Sequence, residues 1–315
     1  MSTAPGSVAT EIAPLRDGLA PSPSPPRLEP GERQLLRKRE RDIAAKYMGG
    51  RMWIYPAFAV GGFSLWMALF PLAIAGIIPL WLGFIVSCVL STGGYVTSHE
   101  AMHSNIGRKG EKGRWLNELT GQISTIPLIF PFSMARLMHL QHHYHCNDPQ
   151  RDPDYPDAAP TAWKAIVKTW VNRQPRNDGS IHHYKRILAE LNSPASRRAQ
   201  RDTVILQLAA MAFFFAMSWS GYALVIAAIW WLPRHIALSY IRFYLSWAPH
   251  HPRVQTGRYE NTVLFRSRLG HIMSMGMETH LVHHLYPSIP SHRTKAAYRE
   301  MRDVLAARGV DVNRL

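Results

Sequence analysis

Cysteine is nearly missing from this chain. Two occur in 315 residues, Cys88 and Cys146, and no Cys-x-x-Cys pair exists. That excludes a disulfide framework and a rubredoxin-like iron pair. Cys88 lies inside an apolar run and reads as a small core hydrophobe. Cys146 reads as incidental to the histidines around it. Acidic residues are scarce, 21 Asp and Glu against 36 Lys and Arg, a net charge of +15. Such a balance can serve nucleic acid. Here, however, the basic residues flank apolar blocks, at Arg33–Arg41, Arg51, Arg108, Lys109 and Lys112. They read as the cytoplasmic flanks of membrane spans, and no nucleic-acid partner is expected. An apolar core is lacking in Met1–Pro30, so no cleavable signal is expected there. With its Pro-Ser run at Pro21–Pro26, the segment 1–31 reads as a disordered tail. Finally, charge is absent altogether from Met52 to Ser98.

That uncharged stretch is long enough for two spans, each needing about 20 apolar residues. A tight turn near Pro71 or Pro79 would join them. A second apolar block runs from Thr203 to Trp247, with a turn expected near Ser218–Gly221. Arg234, His235 and Arg242 fall in its second half, where a charge in hydrocarbon is costly. The helix is therefore expected to leave the hydrocarbon near Pro233, or else to be a shortened or tilted span. Ile123–Phe132 is apolar but too short to cross and reads as interfacial or re-entrant. The expected architecture is an all-α membrane protein with about four transmembrane helices in two hairpins. Residues 32–315 form the integral-membrane domain, and a helical cytoplasmic cap carries the histidines. Two hairpins put both termini on one side, and the basic flanks make it the cytoplasmic side.

Histidine is abundant, at 16 residues, and patterned. His99 and His103 stand four apart in HEAMH. His139, His142 and His143 form H-x-x-H-H in HLQHH, and His280, His283 and His284 repeat that spacing in HLVHH. On helices these spacings align imidazoles along one edge. His250 and His251 follow the last apolar stretch. Neutral imidazole ligates iron, zinc, copper and nickel. Eight box histidines exceed the four ligands of one tetrahedral zinc and suffice for two metals. A metal pair beside a bilayer points to oxidative chemistry on a lipid. Metal-bound imidazoles donate their second N–H to a carboxylate or carbonyl, and Glu100, Asp154 and Glu278 are assigned to that role. Asp148 and Asp152 read equally as loop acids or helix caps. His182, His183, His235 and His292 lack the spacing and read as surface or loop residues. His145 is ambiguous, and His271 is a reserve candidate.

HEAMH, HLQHHYHCNDPQRDPD, SWAPHHP and HLVHHLYPSIPSHR resemble motifs of the membrane fatty-acid desaturase superfamily, over roughly Tyr95–Pro290. The resemblance implies a non-haem diiron centre. It implies iron-ligand roles for His99, His103, His139, His142, His143, His280, His283 and His284, with His250 or His251 adding one more. The asparagine that some members use has no counterpart between Ser239 and His250. HEAMH has H-x3-H where many acyl desaturases have H-x4-H. The DPxxDPD run and SWAPHHP also resemble bacterial members acting on carotenoids. A diiron site makes the oxidant for an unactivated C–H bond from dioxygen and two electrons, which redox-inert zinc cannot do. No rubredoxin-like Cys-x-x-Cys pair and no HPGG haem motif is found in this sequence, so a separate ferredoxin, rubredoxin or cytochrome donor is implied, and the basic surface suits an acidic one. Desaturation and hydroxylation share their first hydrogen abstraction, and ligand spacing does not choose between them.

The leading expectation is a fatty acyl desaturase. A carotenoid ring hydroxylase or ketolase is the alternative within that chemistry. A zinc-dependent membrane hydrolase would leave half the histidines unused. A metal transporter would need ligands within the membrane, and Met52–Ser98 has no histidine and no acid.

Overall fold

The computed structural model describes residues 28–174, 179–252 and 255–315, and these contain helices and loops but no strand. Most of the segment expected to be a disordered tail lies outside the described residues. The first helix, α1 (Pro30–Tyr47), has proline in its first turn, where the missing N–H costs no bond. Next come α2 (Ile54–Ile74) and α3 (Leu80–Met102). Pro71 does not end α2 but sits inside its last turn; the chain reverses over residues 75–79, and Pro79 caps the start of α3. The second apolar pair is α8 (Pro194–Trp219) and α9 (Ala223–Trp247), joined at residues 220–222. These four helices of 21, 23, 26 and 25 residues are long and apolar enough to cross a membrane.

Between the pairs lie α4 (Arg114–Thr125) and α5 (Phe132–His145). With the 3-10 turn that extends α4 to Leu128, they form an apolar pair bent by 97°, which suits the re-entrant reading of Ile123–Phe132. The bend leaves carbonyls without helical partners. Side chains of α9 take them: Trp230 Nε1 donates to Pro127 O at 3.0 Å and Arg234 Nε to Leu128 O at 2.7 Å. Irregular backbone at membrane depth is tolerated when protein groups satisfy it in this way.

The helix α9 does not break at Pro233. A π-helical stretch, Ala227–Trp231, precedes the proline and absorbs its missing donor. The second embarrassing cation, Arg242, is also paired. Its Nη1 lies 2.7 Å from Asp154 Oδ1 and 2.8 Å from Asp157 Oδ2, and Nη2 donates to Tyr184 Oη at 2.7 Å. The polar stretch ahead of the second pair of spans forms α6 (Ala162–Val171), α7 (Ser180–Leu191) and the start of α8. Trp66 of α2, fully buried, donates to Ser87 Oγ of α3 at 3.1 Å, and Ser87 in turn bonds Ile229 O of α9, so one hydroxyl joins three spans.

The cap closes with α10 (Gly270–Met273), α11 (His280–Leu285) and α12 (Ser291–Ala307). The first helix packs against α12. Glu40 of α1 is fully buried and accepts hydrogen bonds from Tyr259 Oη at 2.9 Å and Tyr286 Oη at 2.8 Å. Arg258 and Arg308 each approach it to 3.8 Å, which compensates the buried charge.

Candidate metal centre

Four chain segments converge on one point. The last turn and C-cap of α3 bring His99 and His103. The last two turns of α5 bring His139, His142 and His143. His250 follows α9, and α11 carries His280, His283 and His284. Their ring nitrogens fall into two groups of four, His99, His103, His139 and His283, then His142, His250, His280 and His284. Within each group, one ligand atom per residue lies within 4.8 Å of all the others.

His143 stands between the groups. Its Nε2 is 3.1 Å from His139 Nε2 and 3.1 Å from His283 Nε2, while its ring stacks on His284 with centroids 4.2 Å apart. The groups touch elsewhere too: the His280 and His283 centroids are 5.2 Å apart.

Such convergence fits metal ions on two observations. Nitrogens face one another closely: His103 Nε2 and His139 Nε2 are 2.7 Å apart, His284 Nε2 and His280 Nε2 3.0 Å. Other buried nitrogens have no hydrogen-bond partner, namely both of His99, Nε2 of His142, Nε2 of His250 and Nδ1 of His280. Buried polar atoms left unpaired are costly, and a cation shared among them satisfies each. Burial, then repulsion among the rings, pushes His139, His143, His280, His283 and His284 well below the usual histidine value, which leaves their lone pairs free.

The groups behind the rings fix which nitrogen points inward. Asp152 Oδ1 lies 2.8 Å from His142 Nδ1, and the Asn261 carbonyl 3.0 Å from His250 Nδ1, so each ring turns Nε2 towards its group. Burial works against a charged His142 ring, but Asp152 outweighs it and holds the metal-free imidazole up at about 9.

The three acids assigned behind the histidines are placed differently. Glu100 Oε1 is 3.8 Å from His99 Nδ1 and accepts from Ser291 N at 3.0 Å, while its Oε2 accepts from Asn105 Nδ2 at 2.8 Å. It ties the first box to the start of α12. Asp154 touches no box histidine, because Arg242 and Ser246 occupy it. Glu278 likewise turns away, to Ser267 N, His271 and Lys295. Asp152 does what was assigned to Asp154. The cause is the turn at Asn147, whose φ of 65° folds the loop back so that Asp152 faces His142.

Of the adjacent pair, His250 joins a group and His251 does not; His251 stacks on Trp247 with centroids 4.6 Å apart. His145 belongs to neither group, and His271 pairs with Glu278. His182 is exposed, as expected. His183 is not a surface residue: it is buried, and its Nε2 lies 2.7 Å from the Asp152 carbonyl. Nor are two others free loop residues, since His235 packs against Trp170 and Trp231, and His292 Nδ1 meets Tyr55 Oη at 2.8 Å. Cys146 Sγ is 3.3 Å from His250 Nδ1, and burial pushes its thiol far up, so it stays protonated beside the rings. Of the supports, Asp152 lay near a box in the sequence, whereas Asn261 and His183 lay far from one and carried no signal there.

A family model described as fatty acid desaturase matches residues 75–315. The chain is 25% identical over 279 residues to an sn-1 oleoyl-lipid 12-desaturase of Picosynechococcus sp., covering 80% of this chain and 76% of that protein. It is 25% identical over 282 residues to the chloroplastic omega-6 fatty acid desaturase of Spinacia oleracea, covering 78% of this chain but 57% of that one. A shorter stretch of 73 residues is 38% identical to beta-carotene 4-ketolase 3 of Haematococcus lacustris, 23% of this chain and 22% of the ketolase.

Proposed function

Because the chain belongs to the fatty acid desaturase family, we propose that it is a membrane oxidoreductase that introduces a double bond into a fatty acyl chain of a membrane lipid. The observation that carries this is the pair of adjoining four-histidine groups, set where the apolar helices meet the cap. Redox chemistry on an unactivated C–H bond needs a strong oxidant, which a pair of irons can make from dioxygen, and two relatives that match most of the chain are named for acyl desaturation.

In this reading His99, His103, His139 and His283 would hold one iron and His142, His250, His280 and His284 a second, with His143 beside both, and the irons would supply the redox chemistry that activates dioxygen. The overall change is balanced as follows. Two hydrogens leave neighbouring acyl carbons as the double bond forms. Dioxygen takes those hydrogens, two further protons and two electrons, and becomes two waters. The electrons come from a separate ferredoxin, rubredoxin or cytochrome. Asp152 and the Asn261 carbonyl orient His142 and His250, and the buried rings keep water from the acyl carbon. Residues 32–315 act as one integral-membrane unit with the site towards the cytoplasm, an orientation that the basic flanks of the spans support.

The test is mass spectrometry of lipid extracts from a host with and without the gene. Loss of the gene should leave an acyl chain heavier by two hydrogens. A precursor lacking one oxygen would instead mean hydroxylation. A carotenoid precursor would favour a ring ketolase or hydroxylase, which the short ketolase match supports. One zinc and no iron per chain would favour a hydrolase and sink the proposal.

A further inference from the structure

The chain between α9 and the third histidine box, together with Lys295 of α12, lines a basic groove of about 570 Å³, with Arg266, Arg268, His271 and Glu278 around it. Its charges do not cancel. Glu278 is the groove's carboxylate, and it is already engaged by His271 at 3.1 Å and by Lys295 at 3.8 Å. Arg266 and Arg268 are exposed, and neither pairs with a carboxylate among the described residues. Two unneutralised guanidiniums converging on one concave surface suit a phosphate oxyanion, which the planar fork binds in two-point fashion.

A second observation says what carries the phosphate. Gly270 and His271 line the groove, and the residues around them form a short apolar tip, with Leu269 58%, Ile272 89% and Met273 50% exposed. Gly270 and Gly276, at φ 82° and 78°, let the segment fold back on itself and project that tip. The tip is fastened to α9, because Tyr240 Oη donates to the Met273 carbonyl. Leu232, Ile236 and Tyr240 stand four apart on one face of α9, and Leu232 and Ile236 are exposed apolar residues of a candidate span. The tip therefore extends the lipid-facing surface of that span, with the cations directly beside it. Apolar side chains in the acyl boundary and arginines at the headgroup level is the arrangement of an interfacial lipid site.

We propose that this groove is a headgroup site for a phosphate-bearing membrane glycerolipid, held by Arg266 and Arg268 while Leu269, Ile272 and Met273 enter the bilayer surface. The inference rests on the acyl-lipid reading above and deepens it. Glu278 lines the groove and lies two residues before His280, so a lipid anchored here has its headgroup beside the third box.

The full chain, purified in detergent, is tested by native mass spectrometry with phosphatidylglycerol, with dioleoylglycerol, and with inorganic phosphate. Retention of phosphatidylglycerol but not dioleoylglycerol is expected, with an apparent affinity lowered about tenfold or more in R266Q/R268Q. I272S should weaken transfer from vesicles without changing affinity in detergent. Equal retention by R266Q/R268Q, or equal binding of dioleoylglycerol, overturns the proposal. So does displacement by millimolar inorganic phosphate, which would make the site one for the free ion, or by an acidic carrier protein. Histidine-bound metal, measured on the same samples, reports on folding. Should the double variant lose metal, R268Q alone carries the test. Because the readout is lipid retention, it can fail while desaturation stands, and desaturation can fail while the headgroup site stands.

Discussion

Asp152 Oδ1 and His142 Nδ1 lie 2.8 Å apart, both buried, and this contact determines the face of the ring that meets the other histidines. Asp152 also receives Asn147 N at 2.7 Å and Asp154 N at 2.9 Å, so it organises its loop as well as the ring. Replacing it with alanine frees the ring to turn. Loss of such a partner costs about 10–100-fold in metal affinity or activity. Iron titration of D152A and D152N is the check. A normal affinity in both would show that the ring is held by other means.

His142→Ala and His283→Ala each remove one member of a different group. Both should abolish turnover and lower iron content while the helices still insert, as circular dichroism of membrane-extracted protein would report. His182→Ala should leave activity near the parent level, since that side chain is exposed and outside both groups. Full activity in H142A and H283A would remove the metal assignment.

Metal-free protein should lose stability as pH falls from about 7 to about 5. Burial holds His103, His139, His143, His280, His283 and His284 well below their ordinary 6.5, and His250 at about 3. Below the ordinary value the unfolded chain binds protons that the folded chain refuses, so unfolding is favoured. His142, raised to about 9, has the opposite sign: its contribution is complete below 6.5 and is lost as pH rises through 9. One such group against seven leaves the acid loss dominant. Melting temperatures at pH 5.5 and 7.5 measure it, and a higher value in acid would contradict the ledger of signs.

Arg242→Leu should destabilise the fold by about 3 kcal/mol or more, the usual consequence of leaving buried partners unpaired. Asp157, which is buried, and Asp154 would lose the guanidinium that pairs with them. A melting temperature within a degree or two of the parent would show that solvent reaches this pair.

The spans were legible because charge is absent from Met52–Ser98 and returns at the helix ends. The boxes were legible because helical spacing is periodic and histidine is rare in apolar surroundings. What could not be read depended on distant partners. Arg234 looked costly until Leu128 O, 106 residues away, was in place. Arg242 looked costly until Asp154 and Asp157 came to it. The choice between His250 and His251 turned on one step of rotation at a helix end, and that between Asp152 and Asp154 on the backbone sign at Asn147. Neither leaves a periodic trace.

The buried Glu40 latch bears on the order of biosynthesis. Its partners Tyr259 and Tyr286 lie 219 and 246 residues downstream. When α1 leaves the ribosome, nothing it binds yet exists, and the first two boxes are made long before the third. Both apolar hairpins are synthesised before Tyr259 and Tyr286, so Glu40 waits for its partners until the chain is nearly complete. Closure of the cap is thus a late event, and a metal ion arriving during synthesis meets an open, half-built nest of imidazoles before it meets a closed one.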